Sequence, residues 1–215
     1  MMRYVWFALA LAVLAVCWLG PFPGLARHSF AAHMAMHIAV VAVAAPLLAL
    51  AVAGGRADPV IPIPDVMAPI PASMIELVVV WAWHVPALHH AARAGLGAFA
   101  LEQASFVLAG TLLWLAAIGG RGEQRRMRAG GGIVALLFTS MHMTLLGALF
   151  ALAGRPLFHE GTPSSAAGAL ADQQLGGVIM LLVGGAAYLA GGLALTARAL
   201  RSGIRSSARE QEPAL

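Results

Sequence analysis

Six long runs of apolar residues alternate with short polar or glycine- and proline-rich stretches along the chain. A helix needs about 20 apolar residues to cross the hydrocarbon core of a bilayer, and the runs are near that length. They lack the two-residue alternation that is typical of membrane β-strands. The pattern therefore predicts an all-α integral membrane helical bundle, a single domain over residues 1–215. The predicted spans are 4–19, 30–53, 72–88, 97–118, 132–153 and 173–197, followed by a cytoplasmic tail at 198–215.

The composition agrees with a chain that is almost wholly embedded in a membrane. Apolar residues make up 60% of the chain and charged residues 10%, whereas a soluble domain has about 25% charged residues. This excludes a disordered chain and leaves little room for a soluble catalytic domain. The absence of a glycine-rich phosphate loop and of an HExxH motif argues against nucleotide binding and hydrolysis. Cys17 is the only cysteine, which excludes an intramolecular disulfide and a two-thiol metal site.

The basic residues are all arginines, and their placement predicts topology rather than a nucleic-acid partner. Arginines cluster between the fourth and fifth spans, at 121–128, and again in the tail, at 198–209. Because positively charged loops of membrane proteins lie on the cytoplasmic side, we expect both segments and the N-terminus to be cytoplasmic. The first run also has features of a cleaved signal peptide, with a cleavage site at 24–26, and we favour a retained helix.

This topology places most histidines in the outer half of the membrane, with His142 near mid-depth. Ionisable residues at membrane depth are costly unless they are paired, hydrated or bound to a ligand. His33 and His37 are four residues apart, so both rings lie on one helical face and can meet one ion. Methionines lie beside these histidines in the runs 33–37 and 141–143. Imidazole and thioether groups are copper ligands, and thioether favours Cu(I) in particular.

The same residues also have ordinary structural interpretations. A single histidine in a span is more often a hydrogen-bonded packing residue than a metal ligand, and methionines there are usually apolar filler. At the outer surface, His89, His90 and His159 are expected to be solvated. The pair of His33 and His37 is the more specific signal for a metal. Paired glycines predict close packing of the sixth span, at 176–177, 184–185 and 191–192.

Several short motifs follow one another along residues 20–195. They are Leu25-Ala26-Arg27-His28-Ser29-Phe30-Ala31-Ala32-His33-Met34-Ala35-Met36-His37, Ala45-Pro46-Leu47-Leu48, Trp83-His84-Val85-Pro86-Ala87-Leu88, Leu101-Glu102-Gln103-Ala104-Ser105-Phe106, Met141-His142 and Leu170-Ala171-Asp172-Gln173-Gln174-Leu175-Gly176-Gly177. In this order and spacing the set resembles the cytochrome c oxidase assembly factor CtaG family of bacterial membrane proteins.

The resemblance implies a role in maturing haem–copper cytochrome c oxidase of the respiratory chain, in the bacterial plasma (inner) membrane, without turnover of a substrate. Two features depart from the family pattern. Members usually have an additional span, and the Glu-His pair expected in the fourth span is Glu102-Gln103 here. The family's functional positions map onto His33, His37, His84, Glu102, His142 and Asp172.

We therefore expect a non-enzymatic membrane protein that holds Cu(I) transiently in an outer-facing pocket, with oxidase subunits and a copper donor protein as partners. His33 and His37 are the expected primary ligands, with His84 or His142 as a third. Copper binding should weaken below the imidazole pKa of about 6.5, because protons compete for the ligands. Two acidic residues, Glu102 and Asp172, are expected to orient the imidazoles. The methionines that could form a relay, although they cannot all serve one site, are Met34, Met36, Met141 and Met143.

Other functions stay open on the sequence alone. Two histidines from different helices, such as His37 with His84 or His142, could be axial ligands of haem b in an electron-transfer protein. A metal-free scaffold would bind oxidase subunits through its glycine-rich faces. A transporter has less support, because the sequence shows neither an inverted repeat nor an acidic path through the membrane.

Overall fold

The structure is a computed structural model that describes residues 1–158 and 166–210, with side chains described up to residue 201. Throughout these residues every regular element is helical, so the predicted all-α class is confirmed. The α-helices are α1 (Met2–Leu19), α2 (Phe22–Leu25), α3 (Phe30–Ile38), α4 (Ala45–Val52), α5 (Pro69–Trp83), α6 (Pro86–Ala94), α7 (Leu96–Ile118), α8 (Gly122–Ala151), α9 (Ala166–Ile179) and α10 (Gly185–Glu210).

Five helical stretches are long and apolar enough to cross a membrane, and a sixth is added if the bent pair α5 and α6 counts as one span. Two of the five contain more than one helix. Helices α3 and α4 are joined through Ala39–Ala44 into the stretch Phe30–Val52. Helix α9 continues through Met180–Gly184 into α10, giving the stretch Ala166–Arg201. The chain is thus a multi-pass helical bundle with the predicted order of spans.

The third predicted span, 72–88, is wrong in shape. Helix α5 ends at Trp83, and α6 leaves it at an angle of 73°. The cause is Pro86, which lacks a backbone N–H and restricts the residue before it to an extended conformation. Val85 accordingly has φ −69° and ψ 130°. The break places His84 at the end of α5 and turns the following helix across the end of the bundle.

Two arginine-rich segments that lie outside the predicted spans are helical in the structure. The arginine-rich stretch before the fifth span belongs to α8, which begins at Gly122, and the start of the tail belongs to α10, which continues to Glu210. Hydropathy marks the part of a helix that suits the bilayer, whereas arginine, glutamine and glutamate are themselves good helix formers. The helices therefore extend beyond the apolar runs.

The second span has a π-helical segment, Ala39–Ala44, which ends two residues before Pro46. Proline cannot donate to the carbonyl four residues earlier, and the wider π-turn accommodates its ring. The Tyr188 hydroxyl of α10 donates to the Val41 carbonyl in this segment, at 3.1 Å. This bond joins the second span to the last one.

Small residues let the helices of the bundle approach one another closely. A Cβ atom on Gly177 would lie 2.6 Å from the Gly147 carbonyl oxygen of α8, and one on Gly110 would lie 3.1 Å from the Ala45 side chain of α4. The glycine pair at 176–177 therefore packs inside the bundle, as the sequence predicts.

Candidate functional site

Four buried histidines from three helices form one group, which we call the histidine cluster: His33, His37, His84 and His89. Each is at most 4% exposed. The ring centres of His37 and His84 are 5.3 Å apart, those of His33 and His84 5.9 Å, and those of His33 and His89 4.8 Å. The structure thus brings three of the predicted ligands together and adds His89.

The start of α3 fixes where His33 and His37 lie. The Ser29 hydroxyl accepts from the Ala32 amide at 3.1 Å, as an N-terminal cap does. Asp172 of α9 accepts from the Ser29 hydroxyl at 2.8 Å and from the Phe30 amide at 2.6 Å. Asp172 therefore holds the beginning of the second span against the last one. These contacts are not with an imidazole, so the predicted role of Asp172 in orienting a histidine has no contact to support it.

His84 and His37 present ring nitrogens that are available for a ligand. The His84 Nδ1–H donates to the Val80 carbonyl at 2.6 Å, which fixes the tautomer and leaves the lone pair on Nε2. This Nε2 and both ring nitrogens of His37 have no hydrogen-bond partner among the residues that the structure describes. The His37 ring packs against Phe106, with ring centres 4.2 Å apart. Packing and one carbonyl therefore hold two adjacent imidazoles in place. Their remaining ring nitrogens could bind a metal ion.

His33 is engaged by Arg93 of α6. An Arg93 Nη1–H donates to His33 Nδ1 at 2.8 Å, and because arginine has no acceptor, the neutral ring carries its proton on Nε2. That Nε2 lies 3.9 Å from Glu102 Oε1. Arg93 also forms a close ion pair with Glu102, and both side chains are buried. The guanidinium thus bridges His33 and Glu102.

His89 and Arg93 lie one helical turn apart on α6 and both reach into the cluster. The expectation that His89 is solvated is wrong, because its ring is buried against Phe158, with centres 4.5 Å apart. One atom each of His33, His89 and Glu102 lies within 4.8 Å of the others, a spacing that suits a metal ion. The spacing of His89 and Arg93 was visible in the sequence, but their burial depends on the bend before α6.

His90 is exposed as predicted, and His159 lies outside the described residues.

The remaining predicted histidine, His142 of α8, is buried beside the cluster. It is 2% exposed, and the structure describes no hydrogen bond to either of its ring nitrogens. It is close enough to His37 for the two imidazoles to interact electrostatically. The ring contact described for it is with Phe138, at 5.6 Å. His142 is thus a neighbour of the cluster on the α8 side.

The four predicted methionines lie in different surroundings. Met34 lies beside Gly176 and Met143 beside Gly184, so both face the last span. Met36 is fully buried, and Met141 is 61% exposed on the outside of the bundle. The sequence already indicated that the methionines could not all serve one site. Imidazole is the group whose described contacts define the cluster.

Glu102 and Gln103 connect the cluster to the first span. The Gln103 side-chain amide donates to Glu102 Oε2 at 3.2 Å, and the Trp18 indole N–H donates to Gln103 Oε1 at 3.1 Å. The resemblance predicts a histidine at position 103, and in its place Gln103 donates to the Glu102 carboxylate. Of the two acidic residues expected to orient imidazoles, Glu102 is the one that lies beside a histidine.

Glu76 is a further buried acid, which the sequence analysis did not single out. It lies on the same face of α5 as Val80 and His84, at intervals of four residues, and is fully buried. The Tyr188 hydroxyl forms a close hydrogen bond with Glu76 Oε1. A lone glutamate in an apolar run was the available signal, because such residues in a span are rare unless they have a role.

Comparisons with known proteins agree with the resemblance seen in the motifs. Residues 1–202 match the family described as cytochrome c oxidase caa3 assembly factor, or CtaG. No curated protein and no solved structure shows significant similarity to the chain. Because the match covers nearly the whole chain, the protein belongs to the cytochrome c oxidase caa3 assembly factor family.

Proposed function

We propose that the protein assists cytochrome c oxidase assembly by holding a Cu(I) ion in transit at the histidine cluster. The observation that carries this proposal is the pair His37 and His84, whose ring nitrogens face a buried site without protein partners. Leaving such polar atoms unsatisfied costs free energy, which a bound ion would recover. The copper is cargo in this account, and no substrate is turned over.

The ring separations suit shared ligation of one ion. An imidazole nitrogen about 2.0–2.1 Å from a metal puts the ring centre roughly 3 Å from it, so two ligands have centres about 5–6 Å apart. His37 and His84 are 5.3 Å apart, and His33 is 5.9 Å from His84. Two or three neutral imidazoles suit copper, and few ligands favour exchange with a partner.

His33 becomes a ligand only after Arg93 leaves. In the structure its Nδ1 accepts from Arg93 and its Nε2 carries the proton, so neither nitrogen offers a lone pair. Withdrawal of the guanidinium frees His33 and leaves the Glu102 carboxylate to balance an incoming cation. We infer a primary pair of His37 and His84, with His33 recruited by movement of Arg93 and His142 as the neighbour on α8.

The proposed setting is the bacterial inner membrane, with both termini cytoplasmic and the cluster near the outer surface. The arrangement of charge supports this orientation. The cluster lies at the start of the second span. Arg3 and Arg121 contact the other end of that span, at Ala53 and Gly54. Oxidase subunits and a copper donor protein would then approach the cluster from the outer side.

The packing of the cluster bears on the two alternatives. A haem needs a slot between its axial imidazoles, whereas His37 and His84 are in direct ring contact and Phe106 packs on His37. A scaffold acting through the glycine pairs would need them on the surface, whereas Gly177 packs on α8 and Gly184 on Ile38. Both observations favour the copper hypothesis.

Complementation tests the proposal in cells. A strain lacking this protein receives the wild-type chain, the His37→Ala/His84→Ala variant or the matched control His90→Ala, which changes an exposed histidine. We expect the double variant to accumulate in the membrane yet leave the oxidase deficient in copper and activity, while the control restores both. Full restoration by the double variant would contradict the copper role and leave the scaffold as the better account.

A further inference from the structure

The end of the bundle away from the histidine cluster carries arginines around the turn Gly54–Gly55, which follows α4. Arg3 donates to the Ala53 carbonyl at 3.0 Å, and Arg121 donates to the Gly54 carbonyl at 2.9 Å. Arg125 Nη2 lies 2.8 Å from where a Cβ atom on Gly54 would stand. The start of α1 and the start of α8 thus bring cationic groups to one turn.

These charges are not balanced by carboxylates. In the part of the chain that the structure describes, no ion pair involves the four exposed arginines of this end, which we call the basic rim: Arg3, Arg56, Arg121 and Arg125. The nearby acid, Asp58, is 1% exposed. It accepts from the amides of Gly54 at 2.6 Å and Gly120 at 2.8 Å. Its oxygens are therefore turned inward, and the rim presents net positive charge.

A depression of about 370 Å³ lies beside the basic rim, between α1 and the end of α4. Tyr4, Phe7 and Val52 line its apolar part, and Arg3 and Arg56 line its edge. Gly55 shapes that edge, because a side chain there would collide with the Arg3 guanidinium. One concave surface thus combines two cationic groups with an apolar groove that runs along two spans.

We propose that this depression binds a phospholipid whose headgroup carries net negative charge. Guanidinium groups bind phosphate oxygens through paired, charge-assisted hydrogen bonds, and basic pockets between spans are typical sites for anionic headgroups. Arg3 and Arg56 would bind the phosphate, and the acyl chain would lie over Phe7 and Val52. A zwitterionic headgroup is disfavoured because the other arginines of the rim repel its ammonium group.

Lipid binding to the full-length protein in non-ionic detergent tests this assignment. The probes are phosphatidylglycerol and phosphatidylcholine with identical acyl chains, and native mass spectrometry counts the lipid retained per chain. The site variant is Arg3→Gln/Arg56→Gln. The matched control is Arg126→Gln, because Arg126 is equally charged and exposed but pairs with Glu123 outside the depression.

We expect the wild type and R126Q to retain phosphatidylglycerol at least about fivefold better than phosphatidylcholine, since each arginine near an anionic headgroup contributes about 1 kcal/mol. The double variant should lose this preference. Equal retention of both lipids by the wild type, or an unchanged preference in the double variant, would overturn the proposal. Complete displacement of phosphatidylglycerol by millimolar inorganic phosphate would show a site for free anions and overturn it too.

Discussion

The Arg93 guanidinium contacts both His33 and Glu102, two residues whose spacing suits a metal ion. A fixed positive charge at this position repels an incoming cation and occupies the His33 lone pair. Two unit charges about 4 Å apart repel by roughly 4 kcal/mol at an effective dielectric constant of 20. Removal of the Arg93 side chain should therefore raise the affinity for copper more than removal of any other side chain.

Substitution Arg93→Gln is expected to raise Cu(I) affinity by about tenfold or more, because it removes this repulsion and leaves Glu102 to attract the ion. A competition titration with a chromophoric Cu(I) chelator measures the change. Arg27→Gln, at an exposed arginine shortly before α3, is the control and should leave the affinity unchanged. Breaking a buried ion pair also destabilises the fold, so the double variant Arg93→Gln/Glu102→Gln is measured beside it. An affinity that falls or stays constant in Arg93→Gln would contradict the assignment.

Asp172 acts on the protein through the backbone of α3. Its carboxylate accepts from the Ser29 hydroxyl and the Phe30 amide. Asp172→Asn should lower the free energy of unfolding by about 1–3 kcal/mol, the range for charge-assisted hydrogen bonds, while the copper stoichiometry is retained. Thermal unfolding in detergent gives the first quantity, and metal analysis gives the second. Asp65→Asn, at an exposed acid, is the control. Loss of copper without loss of stability would instead support a role in orienting an imidazole.

At the scale of elements, the crossing of α8 and α9 is made through glycines. The crossing of α8 and α9 places Gly147 and Gly177 so close that neither position has room for a methyl group. Packing of this kind is how membrane helices gain contact when the surrounding lipid is as apolar as the interface.

Gly177→Ala is expected to destabilise the bundle by about 1–3 kcal/mol or more, since the added carbon would lie 2.6 Å from the Gly147 carbonyl oxygen. Gly130→Ala is the matched control within α8, because a Cβ atom there meets nothing within 4 Å. The control should be neutral or slightly stabilising, as alanine is the better helix former. Thermal unfolding of both variants in one detergent makes the comparison. Equal stability of the two would show that the crossing is looser than described.

The elements were largely predictable because apolar runs set the membrane spans directly. The ends of the helices were less predictable, since α8 and α10 continue into polar sequence that hydropathy excludes. Within the site, His33 and His37 followed from helical spacing alone, whereas His89 and Arg93 did not. Their burial results from the 73° bend before α6, a tertiary feature that places an amphipathic helix across the cluster. A prediction that assigns membrane depth by counting along a straight span is wrong for residues that follow a break in that span.

At the scale of the whole molecule, histidines and arginines are concentrated at opposite ends of the bundle. The histidine cluster lies where the second span begins, and the basic rim lies where it ends. In the proposed orientation the arginine-rich end is cytoplasmic, as the positive charge of membrane-protein loops favours. The proposed copper site therefore faces the compartment opposite to the basic rim.

Labelling with a membrane-impermeant maleimide tests this orientation. In a Cys17→Ser background, single cysteines replace His90 on α6 or Arg126 on α8, both exposed positions. In intact spheroplasts His90→Cys should be labelled and Arg126→Cys should not, while both should react after lysis. The reverse pattern would invert the orientation and place the histidine cluster on the cytoplasmic side.

The central claim is that the histidine cluster binds copper, and metal content per chain tests it most directly. The full-length protein is purified in mild detergent under reducing conditions, offered one equivalent of Cu(I), freed of unbound metal and analysed for copper and iron. We expect close to one copper per chain in the wild type and in His90→Ala, little in His37→Ala/His84→Ala, and no iron. Equal copper in all three proteins, or a wild type that retains none, would contradict the claim.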